Sequence, residues 1–400
     1  MRNIDDIKIF KLDNGLQVFF YPMNNLPITN VNLWANVGSV NEKLKVNGIS
    51  HFLEHMLFKD TKKYANNSLT KEIEDFAGGY MNAATSFDYT HYYATLHKNY
   101  IEKAFDVLSN MAFNLDIEQN NLDLERGVIT EEIQRGEDNP WNVLWQELYK
   151  HYFKGHNYAN PIIGNKKNIL NISRDDLHYY YDKFYYPANL SLVIAGDTST
   201  EKVLALSNKY FNINKKVQTY ETVDYHPHKL LAKEYHVKKM PSVSQTYFAY
   251  AYNASFHPAI YLLDIMLGGG ISSIFYKRLK QDERLVWSIG TDFSHHKYGA
   301  TFIVYGVCEY SNLPAIDKIL QEKFILTEED LNKAKRIFKM QHDLEHETIS
   351  GITDSLGYYA VLSNWKDAIE IKKQVLSSML EDVKAIVFEQ SHFIRQIVKN

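Results

Sequence analysis

Cysteine is nearly absent from this 400-residue chain, since Cys308 is the only one. A single thiol cannot form an intrachain disulfide, so the fold does not depend on an oxidising compartment. The sequence also lacks an uninterrupted apolar run long enough to span a membrane, and its first residues lack the apolar core of a secretory signal. We therefore expect a cytoplasmic protein with no membrane partner.

A strong excess of either charge is lacking as well. There are 44 lysines and arginines against 48 aspartates and glutamates, which gives a formal net charge of −4. A balance this close to neutral gives no reason to expect nucleic acid or an anionic membrane as a partner. Apolar residues make up 45% of the chain and charged residues 23%, and these proportions are typical of a globular protein.

The length of the chain predicts more than one domain, because 400 residues are too many for a single hydrophobic core. Strand patterns followed by helical patterns occur twice, which predicts two similar α+β halves. The last helical patterns lie near 327–348, 350–364 and 366–388. Between the halves, a stretch rich in Asn, Lys, Thr and His loses the pattern. The predicted organisation is a first domain at 1–213, a linker at 214–232 and a second domain at 233–400.

The segment from His51 to His55 reads His-Phe-Leu-Glu-His and carries the clearest chemical signal. A helix is predicted to begin just before it, capped by Ser50 or Asn47. Because positions three and four apart fall on one helix face, His51, Glu54 and His55 can point at the same spot. The pattern is that of the inverted zinc-peptidase motif.

The other residues of this predicted helix are mainly apolar, which sets the three polar side chains into a buried element. Buried polar groups need partners, and a metal ion would provide them. Two neutral imidazoles are good zinc ligands, and a carboxylate beside them can take a proton from water. The alternative is a chance occurrence of the motif on an exposed helix.

A third ligand has to come from a separate element, and the acidic helix predicted at 118–135 offers candidates. Glu125 and Glu132 are seven residues apart, almost two helical turns, and therefore share a face. Glu131 points away from that face. Without the histidine motif, an ordinary solvated acidic helix would be the preferred interpretation.

Taken together, these motifs resemble the pitrilysin/insulinase family of inverted-motif zinc metallopeptidases, and in size the chain is similar to the bacterial relatives of mitochondrial processing peptidase. The resemblance covers most of 7–210 and, more weakly, 235–310. It implies an α+β fold of two homologous halves, each a mainly antiparallel sheet packed with helices. It also implies a zinc-dependent endopeptidase that cleaves peptides or unfolded segments inside the chamber of a dimer.

The site residues follow from the same resemblance. One zinc ion per subunit would be held by His51, His55 and Glu132. Glu54 would be the catalytic base, and Glu125 a catalytic-site carboxylate that orients the ligands.

Residues for substrate are implied too. The segment 78–85 resembles the family's edge strand, which pairs with the substrate backbone. Asn82 and Ala83 are placed in that contact, and Phe58 in the pocket beyond the scissile bond. Phe58 has an equally good interpretation as a core residue.

The second half departs from the family pattern at the arginine and tyrosine that usually hold the substrate. Lys280 stands at the arginine position, Trp287 at the tyrosine position, and Arg284 where a glycine is usual. Lysine cannot reproduce a planar two-pronged donor. We expect a heterodimer in which a homologous partner subunit carries the arginine–tyrosine pair. The alternative is an active homodimer in which Arg278 or Arg284 compensates.

Two further functions stay open. One is a non-catalytic binding or assembly subunit of the same fold, which has no chemical need for all four of His51, Glu54, His55 and Glu132. The other is a zinc enzyme that hydrolyses a non-peptide amide, although the strand around Asn82 suits a polypeptide.

Overall fold

The computed structural model describes residues 6–59, 61–64, 68–215, 230, 232–386 and 392–400. Its strands are β1 (Lys8–Lys11), β2 (Gln17–Pro22), β3 (Ile28–Ala35), β4 (Tyr80–Thr85), β5 (Thr90–His97), β6 (Leu190–Gly196), β7 (Glu234–Lys239), β8 (Thr246–Ala254), β9 (Val286–His296), β10 (Gly299–Cys308) and β11 (Phe393–Lys399). Its α-helices are α1 (Ile49–Leu57), α2 (Ser68–Lys71), α3 (Ile101–Phe113), α4 (Gln119–Glu137), α5 (Pro140–Tyr152), α6 (Lys166–Asn171), α7 (Arg174–Phe184), α8 (Thr200–Phe211), α9 (Ile260–Gly268), α10 (Leu313–Leu320), α11 (Glu328–Glu345), α12 (Ile349–Leu362), α13 (Asp367–Ser377) and α14 (Leu380–Ala385).

The chain divides into two compact units. Unit 1 comprises Met1–Ile133, Pro161–Val223 and Leu344–Ile369, and unit 2 comprises Gln134–Asn160, Asp224–Asp343 and Glu370–Asn400. Unit 1 thus includes a late segment, 344–369, that the sequence-based boundaries assign to the second domain. The predicted linker at 214–232 lies mostly outside the described residues.

Unit 1 is built on a six-stranded sheet in the order β1-β2-β6-β3-β5-β4. The β2–β6 pair is parallel and the other neighbours are antiparallel. The hairpin between β1 and β2 turns at Gly15, whose φ of 91° suits a residue without a Cβ. One face of the sheet packs against a core to which α1, α3, α4, α7 and α8 contribute buried apolar residues.

The opposite face of this sheet is covered by α12. Strand β3 alternates its side chains between the two faces. Asn32 donates to Asp354 over 2.9 Å, and Thr353 donates to Asn30 over 2.8 Å. A Cβ on Gly357 would lie 2.1 Å from the Trp34 indole, so this close packing requires glycine. Segment 344–369 is therefore part of the unit 1 fold.

Unit 2 contains a five-stranded sheet in the order β7-β11-β8-β10-β9. Its β7–β11 pair is parallel and its other pairs are antiparallel, which repeats the pairing of β2-β6-β3-β5-β4 in unit 1. In each unit a π-helical segment precedes the edge strand, at Glu72–Phe76 and at Tyr276–Asp282. The predicted fold class, two similar α+β halves with mainly antiparallel sheets, is confirmed.

The helices of the described ranges were compared in length and apolar character with a membrane-spanning helix. None of them combines the length and the apolar character that a bilayer span requires.

Candidate metal centre

Helix α1 carries the histidine motif and packs beside β4 and α7. Its apolar residues are almost completely buried: Ile49, Phe52, Leu53, Met56 and Leu57 are each at most 1% exposed. His51, Glu54 and His55 occupy the remaining face and are partly buried. Gly48 occupies the N-cap position of this helix. Neither the Ser50 nor the Asn47 side chain caps the N-terminal end, so the predicted caps are wrong.

Helix α4 supplies the acidic side chains. Leu122, Glu125, Ile129 and Ile133 form its buried face, which follows the 3–4 spacing of an amphipathic helix. Glu132 lies at the border of that face, with 44% of its side chain exposed. This placement lets one carboxylate be buried while the other reaches the histidines.

The structure brings His51, His55 and Glu132 together. The Oε2 atom of Glu132 lies 3.9 Å from Nε2 of His51 and 3.7 Å from Nε2 of His55. One ligand atom from each of the three lies within 4.8 Å of the others, and no other such group of three occurs in the part of the chain that the structure describes.

These distances fit zinc. Tetrahedral coordination with bonds of about 2.0–2.1 Å separates neighbouring ligand atoms by roughly 3.4 Å, and the two distances from Glu132 exceed this by only a few tenths of an ångström. Two imidazoles and one carboxylate are also a donor set that zinc uses in catalytic sites, with one position left for water or substrate. The residues present therefore fit the metal that the motif predicts.

The two histidines differ in their surroundings. Burial, and secondarily the nearby His55, lower the pKa of His51 to about 4, so its imidazole is neutral and available as a ligand. Its Nδ1 atom is buried and has no hydrogen-bond partner among the described residues. Burial also acts to lower the pKa of His55, but the hydrogen bond to Glu125 and the charges of Glu54, Glu125 and Glu132 outweigh it and raise that pKa.

Glu125 orients the ring of His55 through its Nδ1 atom. Its Oε1 lies 3.0 Å from Nδ1 of His55, and its Oε2 accepts from Nζ of Lys59 over 2.7 Å. Burial acts to raise the pKa of this carboxyl, but the hydrogen bonds from His55 and Lys59 lower it below its usual value. A carboxylate in this position keeps a proton on Nδ1, which leaves Nε2 of His55 facing the metal position.

Glu54 lies on the same helix face and accepts a hydrogen bond from the Thr85 hydroxyl at the end of β4. Burial raises the pKa of Glu54, against the effects of Thr85 and His55. Sequence analysis gave no role to Thr85 or Lys59. The alternation of β4, which turns Met81 inward and Asn82 outward, was the available signal that Thr85 faces α1.

The predicted substrate residues lie on or near β4. This strand is at the edge of the unit 1 sheet, and Asn82 is exposed on it. The backbone N–H of Ala83 donates to Oδ1 of Asn82 over 2.9 Å. Phe58 is partly buried, with its ring 6.4 Å from that of Tyr92 and against the unit 1 core. The roles of all three in substrate binding stay predictions.

The segment of unit 2 that departs from the family pattern has its own local structure. Nζ of Lys280 lies 5.1 Å from the centre of the Tyr276 ring, and Trp287 is 44% exposed. Arg278 pairs with Glu283 over 3.1 Å. Arg284 has a φ of 52°, the only positive φ of a non-glycine residue in the described ranges, which is the conformation that a glycine would favour.

Comparison with known proteins agrees with this fold, and its relatives include proteins named zinc proteases. Residues 21–166 match the family described as Insulinase (Peptidase family M16), and residues 171–338 match the Peptidase M16 inactive domain. The chain belongs to the M16 (insulinase) family.

Individual relatives share the full extent of the chain. It is 26% identical to an "Uncharacterized zinc protease" of Rickettsia felis, over 95% of this chain and 93% of that protein. It is 27% identical to the human mitochondrial-processing peptidase subunit beta, over 96% and 82%. A protease from Helicobacter pylori has the same fold, with a TM-score of 0.90, 24% identity and coverage of 98% of this chain and 99% of that one.

Proposed function

We propose that this chain is the zinc-bearing subunit of an endopeptidase that cleaves peptides or unfolded polypeptide segments. The observation that carries the proposal is the convergence of His51, His55 and Glu132, with Glu54 on the same helix face. One zinc ion per subunit would supply Lewis acidity, which activates water and polarises the scissile carbonyl.

The chain's own residues would perform the proton transfers. Glu54 takes a proton from the attacking water and returns it to the leaving amine. Thr85 holds the Glu54 carboxylate in place through its hydroxyl. Glu125 keeps the His55 ring in its ligating orientation. Each group therefore has a distinct task that a separate substitution can test.

Strand β4 would bind the substrate backbone. It has no neighbouring strand on its outer side within the described ranges, so an extended peptide can add to the sheet there. The Ala83 N–H, now bonded to the Asn82 side chain, would turn to a substrate carbonyl. Phe58 would contribute to the pocket beyond the scissile bond. Recognition of this kind depends on backbone hydrogen bonds more than on sequence.

Quenched peptides of mixed sequence test the function. We expect cleavage that a chelator removes and stoichiometric zinc restores, with cleaved bonds identified by mass spectrometry. Peptide binding without cleavage by the zinc-loaded protein, alone and with its partner, would favour the binding or assembly subunit. Cleavage confined to small non-peptide amides would favour the third function.

The lysine and tryptophan of unit 2 support the heterodimer. The Lys280 ammonium lies over the Tyr276 ring, and Trp287 offers only an indole N–H. Neither reproduces the arginine–tyrosine pair that holds substrate in the family. A homologous partner subunit would supply that pair inside a shared chamber, which leaves an active homodimer with Arg278 or Arg284 as the alternative.

The isolated chain should accordingly bind zinc but cleave peptides at least about 100-fold more slowly than the complex with its partner, because it lacks groups that act in the transition state. The measurement is kcat/KM for the chain purified alone and co-purified, with mass determined by light scattering. Equal activity of the isolated chain as a homodimer would contradict the heterodimer and leave the peptidase assignment intact.

A further inference from the structure

Helix α1 is preceded by Gly48, where the backbone conformation and the close packing exclude a side chain. Gly48 has a φ of 99°, and a Cβ there would lie 2.7 Å from the Ile163 carbonyl oxygen and 2.9 Å from Cα of Gly164. Glycine has no side chain to accept from the first N–H groups of the helix, which have no partner within it. Those groups must be satisfied from elsewhere in the fold.

Glu42, six residues before Gly48, provides acceptors for part of this helix end. Its Oε2 accepts from the backbone N–H of Gly48 over 2.7 Å and its Oε1 from that of Ser50 over 2.8 Å. The Asn47 side chain donates to the same carboxylate over 2.8 Å and to the Pro161 carbonyl over 3.0 Å. Glu42 is 5% exposed, so a buried carboxylate replaces the missing cap at the positive end of the helix.

A second contact fixes the same turn from α7. The hydroxyls of Ser50 and Tyr180 lie 2.7 Å apart, and the Tyr180 hydroxyl donates to the Gly38 carbonyl over 3.3 Å. Both contacts are buried. The first turn of α1 is thus tied to the 38–42 segment on one side and to α7 on the other.

This turn contains His51, and here the two histidines differ. The ring of His55 is oriented by Glu125 through Nδ1, whereas Nδ1 of His51 has no partner among the described residues. The position of the His51 ring therefore depends on the backbone that carries it. First turns of helices are where fraying begins, and fraying here would separate His51 from His55 and Glu132.

We propose that Glu42 is a positioning residue for the metal site. It holds the first turn of α1 in place and so positions His51, as Glu125 orients the ring of His55. This inference rests on the proposed metal site. It predicts that the two acceptor oxygens of Glu42 determine metal affinity through the backbone N–H groups of Gly48 and Ser50.

Glu42→Gln tests it, because glutamine keeps the size but replaces one acceptor oxygen with an NH2 donor, which then faces the N–H group of either Gly48 or Ser50. We expect about a 10-fold or greater loss of zinc affinity, as found when groups that orient ligands are removed. Affinity is measured by competition with a chromophoric chelator, alongside the melting temperature of the metal-free protein. Glu42→Asp, which keeps the charge, should recover part of the loss.

Asp106→Asn is the matched control. Asp106 is also buried in unit 1 and accepts from Tyr64 over 2.8 Å and from Asn110 over 3.0 Å, but it fixes α3 and the 61–64 segment. Asp106→Asn should lower the melting temperature and leave zinc affinity within about 2-fold of the parent value, since a loss of stability at a distant site does not change the positions of the metal ligands.

Tyr180→Phe keeps the test decisive if Glu42→Gln does not fold. It removes only the hydroxyl that bonds Ser50 and should weaken zinc binding about 3-fold. Parent affinity in every foldable variant at Glu42 and Tyr180, or an equal loss in Asp106→Asn, would overturn the inference. Absence of zinc from the parent protein would instead overturn the proposed metal site itself.

Discussion

Replacing Glu54 with glutamine should leave zinc bound at the parent stoichiometry and reduce peptide turnover by about 1,000-fold or more. Glutamine has the size of glutamate and its amide oxygen still accepts from the Thr85 hydroxyl, so the helix and its ligands stay in place. It cannot take a proton from water or return one to the leaving amine. The loss should therefore fall on kcat, with the metal site intact.

Zinc content by atomic absorption and kcat on a quenched peptide are the two measurements for Glu54→Gln, both made on the form of the protein in which the parent cleaves that peptide. Glu131→Gln is the control, because it removes the same charge from an exposed position on α4. Turnover at the parent rate in Glu54→Gln would show that the role given to Glu54 is wrong. Loss of zinc would show that Glu54 is a metal ligand and not the group that transfers the proton.

Glu132→Gln should abolish stable zinc binding. The site has three protein ligands, and the neutral amide is a far weaker ligand than the carboxylate whose Oε2 lies 3.7–3.9 Å from the two imidazoles. The affinity should fall by more than the roughly 100-fold that loss of an outer hydrogen-bonding partner costs. Activity should disappear with the metal and return only at high added zinc.

Glu131→Gln provides an exacting control for this substitution as well, since the two glutamates are adjacent but lie on different faces of α4. Competition with a chelator should give the parent affinity for Glu131→Gln and no measurable affinity for Glu132→Gln. The reverse result would place the ligand one residue earlier. Equal affinity in all three proteins would remove α4 from the metal site.

Helical geometry explains why much of the site was predictable from sequence. His51, Glu54 and His55 lie within a single helix, and local spacing alone places them on one face. The pairing with Glu132 joins two separate helices, so it needed the family resemblance in addition to the seven-residue spacing from Glu125. The fold brings His51, His55 and Glu132 together.

Contacts between distant segments explain what the sequence did not predict. Thr85 reaches Glu54 from a different strand, and Glu42 reaches α1 across a glycine whose positive φ is not encoded by any helix-start pattern. Ser50 and Asn47 are residue types that often cap helices, but their side chains form hydrogen bonds with Tyr180 and Glu42 instead. At this helix end, contacts with distant residues outweigh the capping propensity of the local sequence.

Two strands of unit 2 have sequences from which a strand is hard to recognise, for different reasons. Strand β9 contains serine, glycine, aspartate and two histidines, which resembles a loop, because it is an edge strand paired only with β10 in the described sheet. Strand β11 is central, lies between β7 and β8, and is buried on both faces. A short strand of that kind has no alternating pattern to recognise.

Cys308 lies on β10 with no exposed surface, and burial raises the pKa of its thiol to about 12. It is therefore nearly inert towards reagents that attack thiolates. An Asn82→Cys substitution on the exposed edge of β4 would introduce a single reactive thiol, without removal of any native cysteine. A fluorophore attached there would report whether a polypeptide binds along the strand, with His51, His55 and Glu132 unchanged.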